Sequence, residues 1–237
     1  MMKVSLIALF LVLVFSGPGA MADTETSSTN DITPTTPPTA KNATHVATLA
    51  VSDLREYATL ADPVQQLLAS ALKLTTLDLS YKYGSSDPST GGMDCSGTVW
   101  YLLQAAGLKD VPRDASGMYQ WVWTRSRFEA VTSSNPDTFE LAPLRPGDLL
   151  FWTGTYAMDH DPPVTHVMIY LGTNRLTGRR VMVGASEGRR FNGQSMYGVS
   201  VFDFTLPGAK HSGDTTSRFI GYGAIPGLES AAPPKAP

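Results

Sequence analysis

The sequence holds one cysteine in 237 residues, Cys95, so no internal disulfide can form. It has four histidines, His45, His160, His166 and His211, and charged residues make up only 16 % of it. With a net charge of −3 and no basic stripe, the chain lacks the electrostatic footprint of a nucleic-acid binder, and no nucleic-acid partner is expected. Long apolar runs are also missing, apart from one at the start. Residues 4–16 are almost unbroken hydrocarbon and aromatic, yet too short to span a bilayer comfortably, and no second run follows.

That run follows Met1-Met2-Lys3 and precedes the breaker Gly17-Pro18-Gly19 and the small-residue site Ala20-Met21-Ala22. Residues 1–22 therefore read as a signal peptide, removed after Ala22, which leaves no stable membrane span. No cysteine follows the run, so a lipid anchor is not expected, and the expected location is secreted or periplasmic. An exported chain that keeps a single thiol must bury it or use it.

Residues 23–47 are Thr, Ser, Pro and Asn with hardly an apolar side chain, and read as a flexible linker. Asn42-Ala43-Thr44 has the form of a glycan acceptor, a match that such a tract yields by chance. Residues 48–226 suffice for one domain, expected to be a monomer, and residues 227–237 read as a disordered tail. The arginines Arg175, Arg179, Arg180, Arg189 and Arg190 cluster in sequence and read as a solvated hairpin tip rather than a carboxylate-binding patch.

Val64, Leu67, Leu68, Ala71 and Leu72 recur at helical spacing behind Pro63, and Leu74 can extend that face where Thr75 breaks it. A second helix is expected from Cys95, with Val99, Leu102, Leu103 and Ala106 as its buried stripe and Gly107 as its stop. A third, short helix is expected over Ala115 to Trp123. After Pro143 the pattern changes to strands: Leu149 to Trp152, His166 to Leu171 with Val167, Ile169 and Leu171 on one face, Arg180 to Ala185, Val199 to Phe204, and Phe219 to Ala224. Helices followed by strands on short turns argue an α+β fold with an antiparallel sheet.

A thiol at a helix N-terminus meets unpaired N–H groups and the positive end of the helix dipole, both of which favour the nucleophilic thiolate. Asp94 or Ser96 can cap those groups. The thiol needs a base, usually histidine, and a third group to orient it. His45 lies at the linker edge, and His160 and His211 in loops; His166, on a strand, is the best-positioned partner. The bland alternative is a buried inert cysteine and a histidine that fills a strand end. Asp159-His160-Asp161 reads as a solvated loop and not a metal site, and no metal or cofactor is expected.

Tyr81-Lys82-Tyr83-Gly84, Asp94-Cys95-Ser96-Gly97, Val111-Pro112-Arg113, Leu144-Arg145-Pro146-Gly147-Asp148 and His166-Val167-Met168-Ile169-Tyr170-Leu171-Gly172 occur in that order. This series resembles the NlpC/P60 peptidoglycan endopeptidases, papain-like cysteine peptidases, over about residues 67–224. The resemblance implies N-terminal helices packed on a central antiparallel sheet. It implies Cys95 as nucleophile and His166 as base, with Tyr81, Asp94 and Ser96 binding substrate, Asp94 facing a free amino group in some members. It further implies peptidoglycan peptides as partner and a D-γ-glutamyl bond to a diamino acid, often meso-diaminopimelate, as target.

The family's third polar residue falls at Gly184. If Gly172 faces Gly178 across the turn, His166 also lies opposite Gly184, which has no side chain to orient anything. Ser186, on the same face, is the candidate orienting residue; His160, Asp159, Asp161 and Glu187 are further candidates. A catalytically weak wall-binding homologue, or a thiol amidase or acyltransferase on another substrate such as a lipid, are the alternatives.

Overall fold

The structure, a computed structural model, describes residues 45–206, 210–212 and 215–228. The expected signal peptide, nearly all of the expected linker and most of the expected tail lie outside the described residues.

Three helices and nine strands are described. Helix α1 (Asp62–Leu74) starts with Pro in its first turn and buries Val64, Leu67, Leu68, Ala71, Leu72 and Leu74, the expected stripe. Helix α2 (Cys95–Ala105) is capped by Asp94, whose carboxylate accepts from the Gly97 N–H, and α3 (Ala115–Trp123) by Asp114 in the same way. Ala106 is the one departure from the expected α2 stripe. It is the exposed C-cap, because the helix ends at Ala105 and Gly107 turns the chain away at φ 89°.

A short parallel pair, β1 (Ser80–Tyr81) and β2 (Gly92–Met93), brackets the loop before Cys95. The other strands are β3 (Phe128–Ala130), β4 (Leu149–Thr153), β5 (Val164–Thr173), β6 (Arg180–Phe191), β7 (Gln194–Asp203), β8 (Lys210–Ser212) and β9 (Thr215–Gly223). They form one antiparallel sheet in the order β3-β9-β4-β5-β6-β7, with β8 paired to β9. The α+β architecture of helices on an antiparallel sheet is thus the one expected.

Period-two alternation gives the sheet two apolar faces. Phe151, Val167, Ile169, Val183 and Val201 pack under the helices. Leu150, Trp152, Met168, Tyr170, Met182 and Phe202 form a second core closed by Val131, Leu141, Phe204 and Phe219.

Strands β6 and β7 run far beyond the expected limits. Their turn is Asn192-Gly193, with φ 48° and 82°, a two-residue connection whose positive φ values match the twist of the flanking strands. The domain edges also reach further than composition suggests. Residues at the linker's end are tied to β7, by Tyr197 N–H to His45 O at 2.9 Å and Ala47 N–H to Ser200 Oγ at 2.7 Å. At the other edge Leu228, behind a turn at Gly227, is buried in the core under the helices. Local polarity hid both, because each segment gains order from long-range partners.

Candidate active site

The backbone N–H groups of Val167, Ser96 and Cys95 itself are near enough to the Cys95 sulfur to pull its pKa down. Two belong to the first turn of α2; the third comes from β5, from the residue beside His166. The helix start therefore delivers the thiol to the strand that carries the histidine. Tyr81, on β1, and Tyr156 are close enough for the Cys95 charge to act on both phenols.

The thiol is not activated by its position. Burial dominates and, with the Asp94 charge adding, pushes Cys95 up to about 11 against the pull of the N–H groups. This overturns the expectation of a resting thiolate: Cys95 is only 5 % exposed, and the helix start cannot offset the loss of water around a charged sulfur. Burial likewise pulls His166 well below its ordinary value, with the Arg189 charge as second cause. Both groups rest neutral. Burial, then the charges of Cys95 and Asp94, raises the Tyr81 phenol above its ordinary value, so it remains an O–H donor.

Asp94 and Ser96 are engaged internally. The Asp94 carboxylate accepts from the N–H groups of Gly97 at 2.5 Å and Gly84 at 2.8 Å, and from Arg113 through Nη1 at 3.2 Å and Nη2 at 2.9 Å. Ser96 Oγ donates to the same carboxylate and accepts from Arg113 Nη1 at 3.0 Å. The carboxylate expected to meet a substrate's ammonium is thus a cap, a loop anchor and one half of a two-pronged ion pair. Arg113, quoted in the sequence only as part of a motif, is the residue that holds it.

A cavity of about 1040 Å³ opens beside His166, lined also by Tyr81, Tyr83, Trp152, Tyr156, Ser186 and Arg189. The far side of the His166 ring is unlike the expectation. Nε2 is buried and makes no hydrogen bond among the described residues. Ser186 lines the cavity but does not bond Nε2; nor do Asp159, Asp161 or Glu187. His160 Nδ1 is 2.8 Å from Pro162 O instead. With Nε2 enclosed, Nδ1 is the nitrogen left to work as a base.

Gly184 does not face His166. The observed pairs are Ile169 with Val183 and Tyr170 with Met182, which set Met168 against Gly184 and, one step on, His166 against Ser186. The assumed pairing of Gly172 with Gly178 fails because the hairpin closes at Thr173–Arg180, which sets Gly172 against Val181, and a bulge between Gly172 and Tyr170 then shifts the register by one.

Arg189 is the residue that sequence reasoning assigned wrongly. A bulge between Glu187 and Arg189, with Gly188 at φ 80°, inserts one residue into β6. It shifts the alternation so that Arg189 shares the face of Ser186 and Met182 rather than the helix face. Its guanidinium carbon lies 4.3 Å from the centre of the Trp152 ring, which in turn meets the His166 ring edge-on at 5.6 Å. Two other arginines of the cluster are tied down at the surface, Arg179 to Asp203 at 3.5 Å and Arg180 to Pro136 O at 2.8 Å. Among the described residues no group of three or more His, Cys, Asp or Glu is placed to hold a metal ion, and no helix is long and apolar enough to cross a membrane.

No curated protein matches the chain. Among solved structures, a protein from Staphylococcus aureus subsp. aureus Mu50, described as similar to lipoprotein and of the NLP/P60 family, is 24 % identical at a TM-score of 0.38. The match covers 59 % of this chain and 36 % of that one, so the chain spans little over a third of that relative's length. The model of the NlpC/P60 family matches residues 78–199, just over half the chain and the stretch that carries Tyr81, Asp94, Cys95, Ser96 and His166, and the protein belongs to that family.

Proposed function

We propose that the protein is an exported cysteine endopeptidase that cuts peptidoglycan stem peptides, at the D-γ-glutamyl bond to a diamino acid. At the level of the family the function is cell-wall peptidase-like. The observation that carries the finer reading is that the Val167 N–H acts on the Cys95 sulfur, one residue from His166, which lines a cavity of about 1040 Å³.

Because both groups rest neutral, the reaction begins with proton transfer as the bond forms. His166 takes the Sγ proton while sulfur attacks the carbonyl carbon, and the carbonyl oxygen becomes the oxyanion of a tetrahedral intermediate. The Tyr81 hydroxyl is a donor available to that oxyanion. His166 then returns the proton to the leaving amine, which leaves a thioester on Cys95. A water, deprotonated by His166, hydrolyses it and regenerates the thiol. Asp94, Ser96 and Arg113 hold the loop at Gly84 against the start of α2, and so shape the cleft in which substrate lies.

The test is mass spectrometry of muropeptides released from sacculi by the chain from Asp23 onward. New amino termini are expected with wild type and none with Cys95→Ala; identical digests across several wall types would reject a peptidase. A second reading, a binding module that has lost activity, is favoured by the unpartnered Nε2 of His166. It predicts that both proteins pellet with sacculi and neither cuts them.

A further inference from the structure

Arg189 is a cation without a counter-ion. Among the described residues it makes no ion pair and no hydrogen bond; its one close partner is the face of Trp152 at 4.3 Å. Glu187, the nearest acid in sequence, is exposed, and Asp203 meets Arg179 through Oδ2 and makes no ion pair with Arg189 among the described residues, its Oδ1 being buried without a partner. Arg189 is half-buried, and a guanidinium partly withdrawn from water without a carboxylate is unfavourable, a loss that an aromatic face returns only in part. Burial lowers Arg189 to about 10, so it keeps its charge at neutral pH.

Two residues that line the same cavity have buried donors without partners among the described residues. Trp152 Nε1, which can only donate, is buried without a partner, and so is His166 Nε2. With Nδ1 serving as base, Nε2 carries the ring proton. Two partnerless buried donors and a five-donor fork thus belong to residues that line one cavity, whose acids are the exposed Glu187 and Asp203, the latter with one oxygen, Oδ1, also buried without a partner. The ligand that matches is planar, anionic and rich in acceptors, and a carboxylate meets a guanidinium in two parallel bonds.

We propose that Arg189 is a specificity-determining residue that docks a carboxylate of the peptide substrate in the cavity beside His166. The proposal rests on the peptidase reading above and names its substrate more narrowly. A γ-linked glutamate keeps its α-carboxylate free, three carbons from the carbonyl under attack, so the docking group and the reacting group belong to one residue. Docking has a second effect. His166 becomes an imidazolium during the reaction, and the charge that the structure sets against it is that of Arg189 from β6. A substrate carboxylate on Arg189 offsets that charge.

Two synthetic L-alanyl-γ-D-glutamyl-diaminopimelate peptides test this, one with the glutamyl α-carboxylate free and one with it amidated. Wild type is expected to cut the free form with kcat/KM about tenfold or more above the amide, the loss implied by removing a charged hydrogen-bond partner. Arg189→Gln brings the two rates to within about twofold, and Arg189→Lys, which keeps the charge without the fork, lies between. Melting temperature is the readout for a merely structural role: Arg189→Gln is expected to melt no lower than wild type, since it removes an unpaired charge. A wild-type preference below twofold, or one that survives Arg189→Gln, overturns the proposal. If neither peptide is cut, the peptidase reading fails by itself, and calorimetry of both peptides on Cys95→Ala and on Cys95→Ala/Arg189→Gln decides the docking site. Tighter binding of the free carboxylate that depends on Arg189 supports it, and equal binding overturns it. Inorganic phosphate competing better than acetate, with no preference between the peptides, identifies a phosphate site and also overturns it.

Discussion

Gly184 and Met168 are one packing unit. They lie opposite each other on β6 and β5, and a Cβ built on Gly184 would come within 2.9 Å of Met168 Cγ. The methionine fills the space that a side chain at 184 would need, in the core that also holds Trp152 and Met182. The absence of an orienting residue at 184 is therefore matched by a larger residue two positions after His166.

A side chain at 184 thus requires a smaller one at 168. Gly184→His alone is expected to lower stability by about 1–3 kcal/mol through overpacking, read as a fall in urea midpoint. Met168→Gly with Gly184→His is expected to recover part of that loss and to raise kcat relative to Met168→Gly alone, because the new imidazole can reach the His166 side of the sheet. Equal kcat for the double and single variants would show that position 184 has no influence on the base.

The thiol should be sluggish. At a value of about 11, burial leaves Cys95 far less ionised at neutral pH than a free cysteine. Alkylation by iodoacetamide at pH 7 is expected to run about two orders of magnitude slower than for free cysteine, and to climb about tenfold per pH unit up to roughly pH 10. A fast reaction that is flat below pH 8 would mean that Cys95 and His166 form an ion pair at rest.

The contrast between helices and sheet shows what one sequence discloses. Helices α1 and α3 lie where apolar spacing places them, α1 behind Pro63 and α3 behind the Asp114 cap, because these signals act within one or two turns. The start of α2 at Cys95 was legible for the same reason. Strand register was not. The hairpin closes at Thr173–Arg180, with a bulge between Tyr170 and Gly172, and together these moved the partner of His166 from Gly184 to Ser186; a bulge at Gly188 carried Arg189 from an expected surface tip to the cavity. Bulges are set by tertiary fit, and each reverses or shifts a face assignment that depends on counting by two. The long hairpin was signalled by Asn192-Gly193, a turn pair that strand reading by alternation passed over. The engagement of Asp94 by Arg113 spans 19 positions, and no local pattern announces it.

That ion pair makes a further prediction. Arg113 is 37 % exposed at its side chain and Asp94 only 8 %, so solvent screens one partner more than the other. Arg113→Ala leaves Asp94 with its Gly84 and Gly97 amides, and Asp94→Asn leaves Arg113 with Ser96. A double-mutant cycle in urea is expected to give a coupling energy of about 1 kcal/mol. Both single variants should also lose more in hydrolysis than in stability, since the pair fixes the loop around the nucleophile. Additive effects would reduce Arg113 to a surface residue.

Asp148 gives stability a pH dependence that Cys95 and His166 do not report. It closes the turn before β4, where its carboxylate accepts the Arg145 N–H at 2.8 Å and its carbonyl accepts the Tyr170 N–H at 2.8 Å. Burial, only partly opposed by the Arg145 hydrogen bond and charge, pushes its carboxyl up to about 7. The folded state then holds a proton that the unfolded chain releases in the ordinary carboxylate range. Where the folded state binds more protons, stability falls as pH rises. The contribution is complete below the ordinary carboxylate value, is lost as pH climbs to about 7, and stays lost above it. Asp148→Asn keeps an acceptor for Arg145 and cannot ionise. Its urea midpoint, relative to wild type, is expected to rise from pH 4 to about pH 7 and then level off, while the other titrating groups cancel between the two proteins. A gap that is constant over this range, or that widens towards acid, would show that the Asp148 carboxyl ionises in the folded chain as it does in the unfolded one.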